Sequence, residues 1–326
     1  MFEKYARAFV IISLIAFITC PVAIAKSPDF PKKPIRFLVP YPAGSGNDIQ
    51  TRGLAPYLEK YVGGAITIDN RPGADGRLGL NEAWKSAPDG YTIINAGMPT
   101  PIINEKLFPG SVTYRTKEFT HIYAWSQDNV GLFVNAEKWK TAKEFLAEAR
   151  TRSMVGGISG IGSVSHIAGL SLAGATTMKP VNWVPFKGGA ETVTSLAGKH
   201  IDFGVTTTSS AKPLVDAGKL RIIMVFSEEK DPVFSNAPLP HEAIGLNLES
   251  LPIVRGALAP PGMATQIAAD LRDAFAKAAK DPDFLAWAKK VRVEIQPMDH
   301  EKFLKYTVGV EKEVMKYLDK IQAKGN

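Results

Sequence analysis

The chain has 326 residues, 45% of them hydrophobic and 22% charged, with 28 glycines, 23 prolines, a single cysteine and a formal charge of +7. That composition excludes disordered, collagenous and coiled-coil classes, and one cysteine excludes a disulfide framework or a cysteine-rich metal site. The basic surplus suits an anionic partner, no basic run is dense enough for nucleic acid, and the length favours two lobes over one core.

Lys4 and Arg7 precede an apolar run over residues 8–18, and Ala23-Ile24-Ala25 supplies a small-x-small site. This reads as a secretory signal peptide over residues 1–25, cleaved after Ala25. A bilayer crossing needs roughly 20 apolar residues, so the run is too short for a retained anchor. Cys20 raises a lipoprotein reading, but Phe17-Ile18-Thr19 lacks the usual small residue before the cysteine. An exported chain without disulfides points to the bacterial periplasm.

Downstream, runs rich in Ile, Val and aromatics predict strands over residues 35–39, 65–69, 91–95, 130–135, 181–186, 201–206, 220–226, 253–259 and 291–296. Leu54, Tyr57, Leu58 and Tyr61 follow helical spacing between the first two, with Pro56 expected to kink that helix or mark its first turn. Thr141 and Glu144 form a capping box for a helix reaching Arg150. Ile267, Leu271, Phe275 and Ala278 line another, and Asp299 caps the last, whose stripe is Phe303, Val310, Val314, Tyr317 and Ile321. Such alternation predicts the α/β class: two lobes, each a mostly parallel sheet flanked by helices, with a ligand cleft between them. No disordered linker separates the lobes, so the chain is expected to cross within residues 121–134 and 251–259. One lobe then comprises residues 26–124 and 253–326, and the other residues 125–252.

Three loops follow strands, where open α/β sheets bind ligands. The first, Pro40-Tyr41-Pro42-Ala43-Gly44-Ser45-Gly46-Asn47-Asp48, brings backbone N–H groups and a helix start together, which suits a carboxylate or phosphate. Asn47 or Asp48 there reads equally as a plain N-cap. The second loop, residues 156–163, leads into a helix beginning near Ser165-His166. The third is Thr206-Thr207-Thr208-Ser209-Ser210, either a set of hydroxyl donors or a solvated turn. No phosphate-loop, dinucleotide or nucleophile-elbow motif is present, and the five histidines show no metal-ligand spacing. Ser163 and His166 lie on adjacent turns, but no third group orients them as a catalytic pair.

The segment from Pro40 to Asp48, then Asn70-Arg71-Pro72-Gly73-Ala74, Ala87-Pro88-Asp89-Gly90-Tyr91-Thr92, Val184-Pro185-Phe186-Lys187-Gly188-Gly189, Ala217-Gly218-Lys219-Leu220-Arg221 and Leu258-Ala259-Pro260-Pro261-Gly262 occur in order. Together these resemble the Bug/TctC family, the extracytoplasmic solute receptors of tripartite tricarboxylate transport systems. The resemblance implies a two-lobed periplasmic binding protein, not an enzyme, that closes on a small organic carboxylate without metal or cofactor. Family members hold the carboxylate through backbone amides and water. By motif, Ser45, Gly46, Asn47 and Met98 carry over as contacts of one lobe, and Ser159, Gly162, Ser163, Thr206 and Thr207 of the other. The implied partners are membrane permease subunits of such a transporter or, as an alternative, a histidine kinase sensor; a monomer is expected. Ser45 and Asn47 interrupt the family's longer glycine run, Val254-Arg255-Gly256-Ala257 stands where Trp-Tyr-Gly is usual, and Gly262-Met263-Ala264 replaces Gly-Thr-Pro. Lys187 is the one cation near these loops, which argues against a tricarboxylate such as citrate.

Overall fold

The computed structural model describes residues 30–248, 251–291 and 293–318, so residues 1–25 with Cys20 and Ala25, and Ile321, lie outside the described residues. Strand β1 (Ile35–Val39) is almost wholly buried, and α1 (Gly46–Val62) returns over the sheet to β2 (Ile66–Asn70). Next come α2 (Arg77–Lys85), β3 (Thr92–Met98), α3 (Thr100–Leu107) and, after a single turn of 3-10 helix, β4 (Thr120–Asp128). Asn129 alone separates β4 from β5 (Val130–Asn135). The chain continues through α4 (Ala142–Ala149), β6 (Met154–Ile158), α5 (Val164–Ala175), β7 (Val181–Pro185), α6 (Gly189–Ala197), β8 (Phe203–Thr207), α7 (Thr208–Asp216), β9 (Leu220–Phe226) and α8 (Pro240–Ile244). It ends with β10 (Ile253–Ala259), α9 (Thr265–Ala278), α10 (Pro282–Lys290), β11 (Ile295–Met298) and α11 (His300–Met315). No helix among the described residues is long and apolar enough to cross a membrane.

Two sheets result, ordered β11-β4-β10-β3-β1-β2 and β7-β6-β8-β5-β9. Both are mixed, which corrects the expectation of mostly parallel sheets. Strand β1 runs parallel to β2 and β3, and β6 runs parallel to β7 and β8, as βαβ units require. The strands that arrive from the other lobe run the opposite way. Strand β10 starts where β3 ends, with Val254 opposite Met98, and β5 starts where β8 ends, with Val130 opposite Thr207. A strand that enters at the cleft edge must run away from it, so it opposes strands that finish there.

Each lobe closes around packed rings. Phe37, Trp125 and Phe275 lie 5.9–6.3 Å apart under the first sheet. Phe203 meets Phe145 at 5.1 Å and Trp183 at 5.6 Å in the second. Each fully buried ring of this kind stabilises its lobe by about 1.5–3 kcal/mol. That packing also explains β6, whose glycines belonged to a loop on the sequence reading. A Cβ on Gly156 would sit 2.6 Å from Phe203 and 2.8 Å from Trp183, so the strand passes beneath those rings only because it has no side chain there. Pro56 stands deep inside α1, not in its first turn. The last strand starts later than expected because α10 runs to Lys290 and is capped by Val291.

Candidate ligand-binding site

Ser45, not Asn47 or Asp48, caps α1: its Oγ accepts the Asp48 N–H at 3.3 Å, so the helix starts at Gly46. Asp48, in the first turn of α1, is buried. Its carboxylate accepts from the Gly44 N–H at 2.8 Å, from Arg52 Nε at 3.0 Å and from Asn70 Nδ2 at 2.9 Å. Burial raises this carboxyl, but those three donors together hold it below its ordinary value, so it stays ionised and occupied. The described hydrogen bonds leave the Gly46 and Asn47 N–H groups free at the positive end of the helix. The left-handed residue in this loop is Gly44, at φ +80°, so no special dihedral constrains Gly46.

Asn47 is fixed from both ends. Its carbonyl accepts from Thr51 Oγ1 at 2.8 Å and from Asn95 Nδ2 at 3.1 Å, and its side-chain Oδ1 accepts from Arg255 Nε at 3.0 Å. Met98 ends β3 fully buried, packed in the apolar cluster beneath the sheet. Below the helix, Gln50 Oε1 accepts from Trp125 Nε1 at 3.1 Å and Ser126 Oγ at 2.6 Å, which pins α1 to β4.

Arg255 is the residue that the sequence reading missed. It stands in the middle of β10, opposite Gly97 and Ser126, and is only 7% exposed. Its Nη2 lies 3.4 Å from where a Gly46 Cβ would stand, so the first loop has a cation beside it after all. Its Nη1 is 3.5 Å from Asp128 Oδ2, an ion pair without a hydrogen bond. Lys187, by contrast, is exposed, and its backbone N–H is bound by Glu191. A lone arginine inside the apolar run of residues 253–259 was the available sign, because an unpaired charge is rarely placed in a central strand.

In the second lobe the hydroxyls hold one another. Ser163 caps α5, accepting the His166 N–H at 3.2 Å and donating to the Gly160 carbonyl at 2.7 Å. Ser165 Oγ accepts the Ser159 N–H at 2.9 Å, and Ser159 Oγ meets Thr206 Oγ1 at 3.2 Å. Thr206 is fully buried, and Thr207 precedes α7 with its hydroxyl 2.7 Å from Ser210 Oγ. The Gly162 N–H is spent on His166 Nδ1 at 3.1 Å, behind the loop. His166 thus receives a backbone proton on Nδ1, and Ser163 Oγ bonds to its backbone, not its ring. That geometry holds no nucleophile–base pair. Among the described residues no group of three His, Cys, Asp or Glu side chains is placed to hold a metal ion.

The two groups of candidate residues are linked through Asp128. Its carboxylate accepts from Ser209 Oγ and, at 3.4 Å, from Thr208 Oγ1, both at the start of α7 directly after Thr207. The route Asn47–Arg255–Asp128–Ser209 therefore runs from the tip of α1 to the tip of α7. Asp231 joins it by accepting from Asn129 Nδ2 and Thr208 Oγ1, both at 3.1 Å. Burial pushes the Asp231 carboxyl up. A cavity of about 430 Å³ lies elsewhere, between α7 and the α10–β11 segment, and none of the nine candidate residues lines it. Its polar rim is Lys212, Lys289 and Glu294, the last raised by burial, and the rest is mainly apolar.

The model of the tripartite tricarboxylate transporter family receptor matches residues 51–323. A protein of Cupriavidus necator, called UPF0065 protein in gbd 5'region, is 29% identical over 92% of this chain and 90% of its own length. Among solved structures, MatC from Rhodopseudomonas palustris with bound malate is 25% identical, with a TM-score of 0.74 over 90% of this chain and 99% of its own. A TctC solute binding protein from Polaromonas, without ligand, is 26% identical with a TM-score of 0.73, covering 89% of this chain and 99% of its own.

Proposed function

This chain belongs to the tripartite tricarboxylate transporter receptor family, the TctC or Bug solute-binding receptors, and on that premise we propose that it captures a small organic carboxylate between its lobes in the periplasm and delivers it to the permease subunits of such a transporter. The observation that carries the reading is the tip of α1, where two free N–H groups stand beside a buried guanidinium while the local acid, Asp48, is occupied by Gly44, Arg52 and Asn70. Such a tip attracts a carboxylate oxygen by its orphan donors and its partial positive charge. Ser45, Gly46 and Asn47 would line one wall of the cleft, with Met98, buried in the core beneath the sheet, backing that wall without facing the ligand. Ser159, Gly162, Ser163, Thr206 and Thr207 would line the other, Gly162 as a spacer whose donor is already used. Closure would turn about Asn129 and the start of β10, where the chain passes between the sheets. Malate in MatC supports the ligand class. The test is a thermal-shift screen of mono- and dicarboxylates, malate included, followed by calorimetry after chelation. A ligand that binds only the folded state raises Tm, by an amount equivalent to about 2.7 kcal/mol at a hundredfold excess over Kd. We expect one site per chain and no metal dependence; a panel without any stabilising acid would refute the reading.

A further inference from the structure

Arg255 has two terminal nitrogens and, among the described residues, no hydrogen bond on either. Its Nε donates to Asn47 Oδ1 at 3.0 Å. Nη1 is buried without a hydrogen-bond partner, and Nη2 points at the bare face of Gly46. A guanidinium nitrogen buried so is costly, since the unmet Nη1 donors lose their water without replacement. Bracing the hinge does not explain it. Asp128 already accepts from Ser209 Oγ, the Ser209 N–H and Thr208 Oγ1, so it is satisfied without the arginine. At 3.5 Å the Asp128 carboxylate balances the charge of Arg255 but takes no proton from it. Buried ion pairs add little stability that apolar residues of the same size would not supply. What remains is a cation oriented by Asn47, balanced by Asp128, and open on the side where α1 offers its free N–H groups.

We infer that Arg255 is a ligand-contacting specificity residue: it meets one carboxylate of the bound acid together with the α1 tip, and so makes the site reject the uncharged amide of the same shape. This rests on the carboxylate-receptor reading above. A guanidinium suits the role because its planar donors match both oxygens of a carboxylate. An amide in that place would turn an NH2 group toward donors, leaving both sides unpaired.

The experiment uses the purified full chain and a panel of linear mono- and dicarboxylates of about two to eight carbons, malate, and the primary amide of each. The acid that most raises Tm is titrated by calorimetry beside its amide, in wild type and in Arg255→Gln. Wild type should prefer the acid by at least about a hundredfold, and Arg255→Gln should shrink that ratio by at least about tenfold, because one charge-assisted contact is lost. Arg255→Lys keeps the charge but loses the fork, and an intermediate ratio is expected; it serves also if the Gln variant fails to fold. If the variants weaken acid and amide equally, or keep the wild-type ratio within about threefold, Arg255 is a brace and the inference is overturned. If no acid on the panel shifts wild type, the receptor reading itself fails, and this inference falls with it.

Discussion

The two halves of the candidate site use different physics. At the tip of α1 the polar groups are charged and incompletely paired: Arg255 keeps unmade donors, and Asp128 stands 3.5 Å away. At the tip of α5 they are neutral hydroxyls, with Ser159, Ser163, Ser165 and Thr206 satisfying one another and neighbouring backbone. A charged, half-paired wall recognises charge. A neutral, mutually bonded wall holds shape. The first should therefore respond strongly to loss of a counter-charge, and the second only weakly.

The most forceful way to break that contrast is Asp128→Ala. It strips the buried guanidinium of its counter-ion and α7 of its acceptor, so stability should fall by about 3–5 kcal/mol. Denaturant unfolding in urea measures this; a loss under about 1 kcal/mol would show that Arg255 is not effectively buried.

Next in size is a difference in acid response between the lobes. His121 in β4 sits against the Phe119 carbonyl at 2.9 Å and Thr307 Oγ1 at 3.1 Å, and burial depresses its pKa to about 4. The Phe119 oxygen only accepts, so the neutral ring carries its proton on Nδ1. Because the folded value lies below the unfolded value of about 6.5, this contribution is complete above pH 6.5 and is lost as pH falls toward 4, about 3 kcal/mol in all. In the second lobe, burial works against the Asp202 carboxylate, yet Arg152, the Val155 N–H and Lys138 hold its pKa down to about 2. Its contribution is present above its unfolded value of about 3.9 and disappears only as pH falls through 2. Hydrogen exchange at pH 4.5 should thus show the first sheet loosening while the second keeps its protection; equal loosening of both would contradict the assignment.

Affinity sharpens the contrast further. Gly46→Val should weaken acid binding at least about tenfold more than Ser45→Ala, which removes one hydrogen bond worth about 1 kcal/mol. A Cβ at Gly46 would stand 3.4 Å from Arg255 Nη2, so the two methyl groups beyond it crowd the space between that nitrogen and the free N–H groups. Calorimetry on variants with wild-type circular dichroism reads this; binding within about fivefold of wild type would place the anion elsewhere. The smallest effect belongs to the hydroxyl wall. Ser163→Ala loses a helix cap, and stability should drop by about 1 kcal/mol. Melting at low and high salt should show the same difference, because no charge is involved.

Four strands, β1, β5, β9 and β10, were legible to the residue, because each is a run of β-branched and aromatic residues with clear breaks at its ends. Strand β6 was not, since glycine carries no periodicity and only the rings of Phe203 and Trp183 explain its presence. The glycine loops were legible as places where backbone donors gather. Which residue capped α1 was not, because Ser45, Asn47 and Asp48 all suit the role, and Asn70 and Arg52 decide it by claiming the acid. Arg255 lay in plain view, but its nearest neighbours at the site, Asn47 and Asp128, are remote in sequence. No local pattern brings those three together.

The position of β10 bears on the order in which the molecule assembles. This strand lies between β3 and β4 in the first sheet, yet it is made only after the whole of the second sheet has been synthesised. Until it arrives, β3 and β4 have no strand to join them, and the rings of Phe37 and Trp125 lack Phe275 from α9. The second sheet, drawn wholly from residues 130–226, closes with no segment borrowed from either side. The lobe that begins the sequence is therefore the last to be completed, and its unpaired strand edges are what a nascent chain of this protein must keep from aggregating.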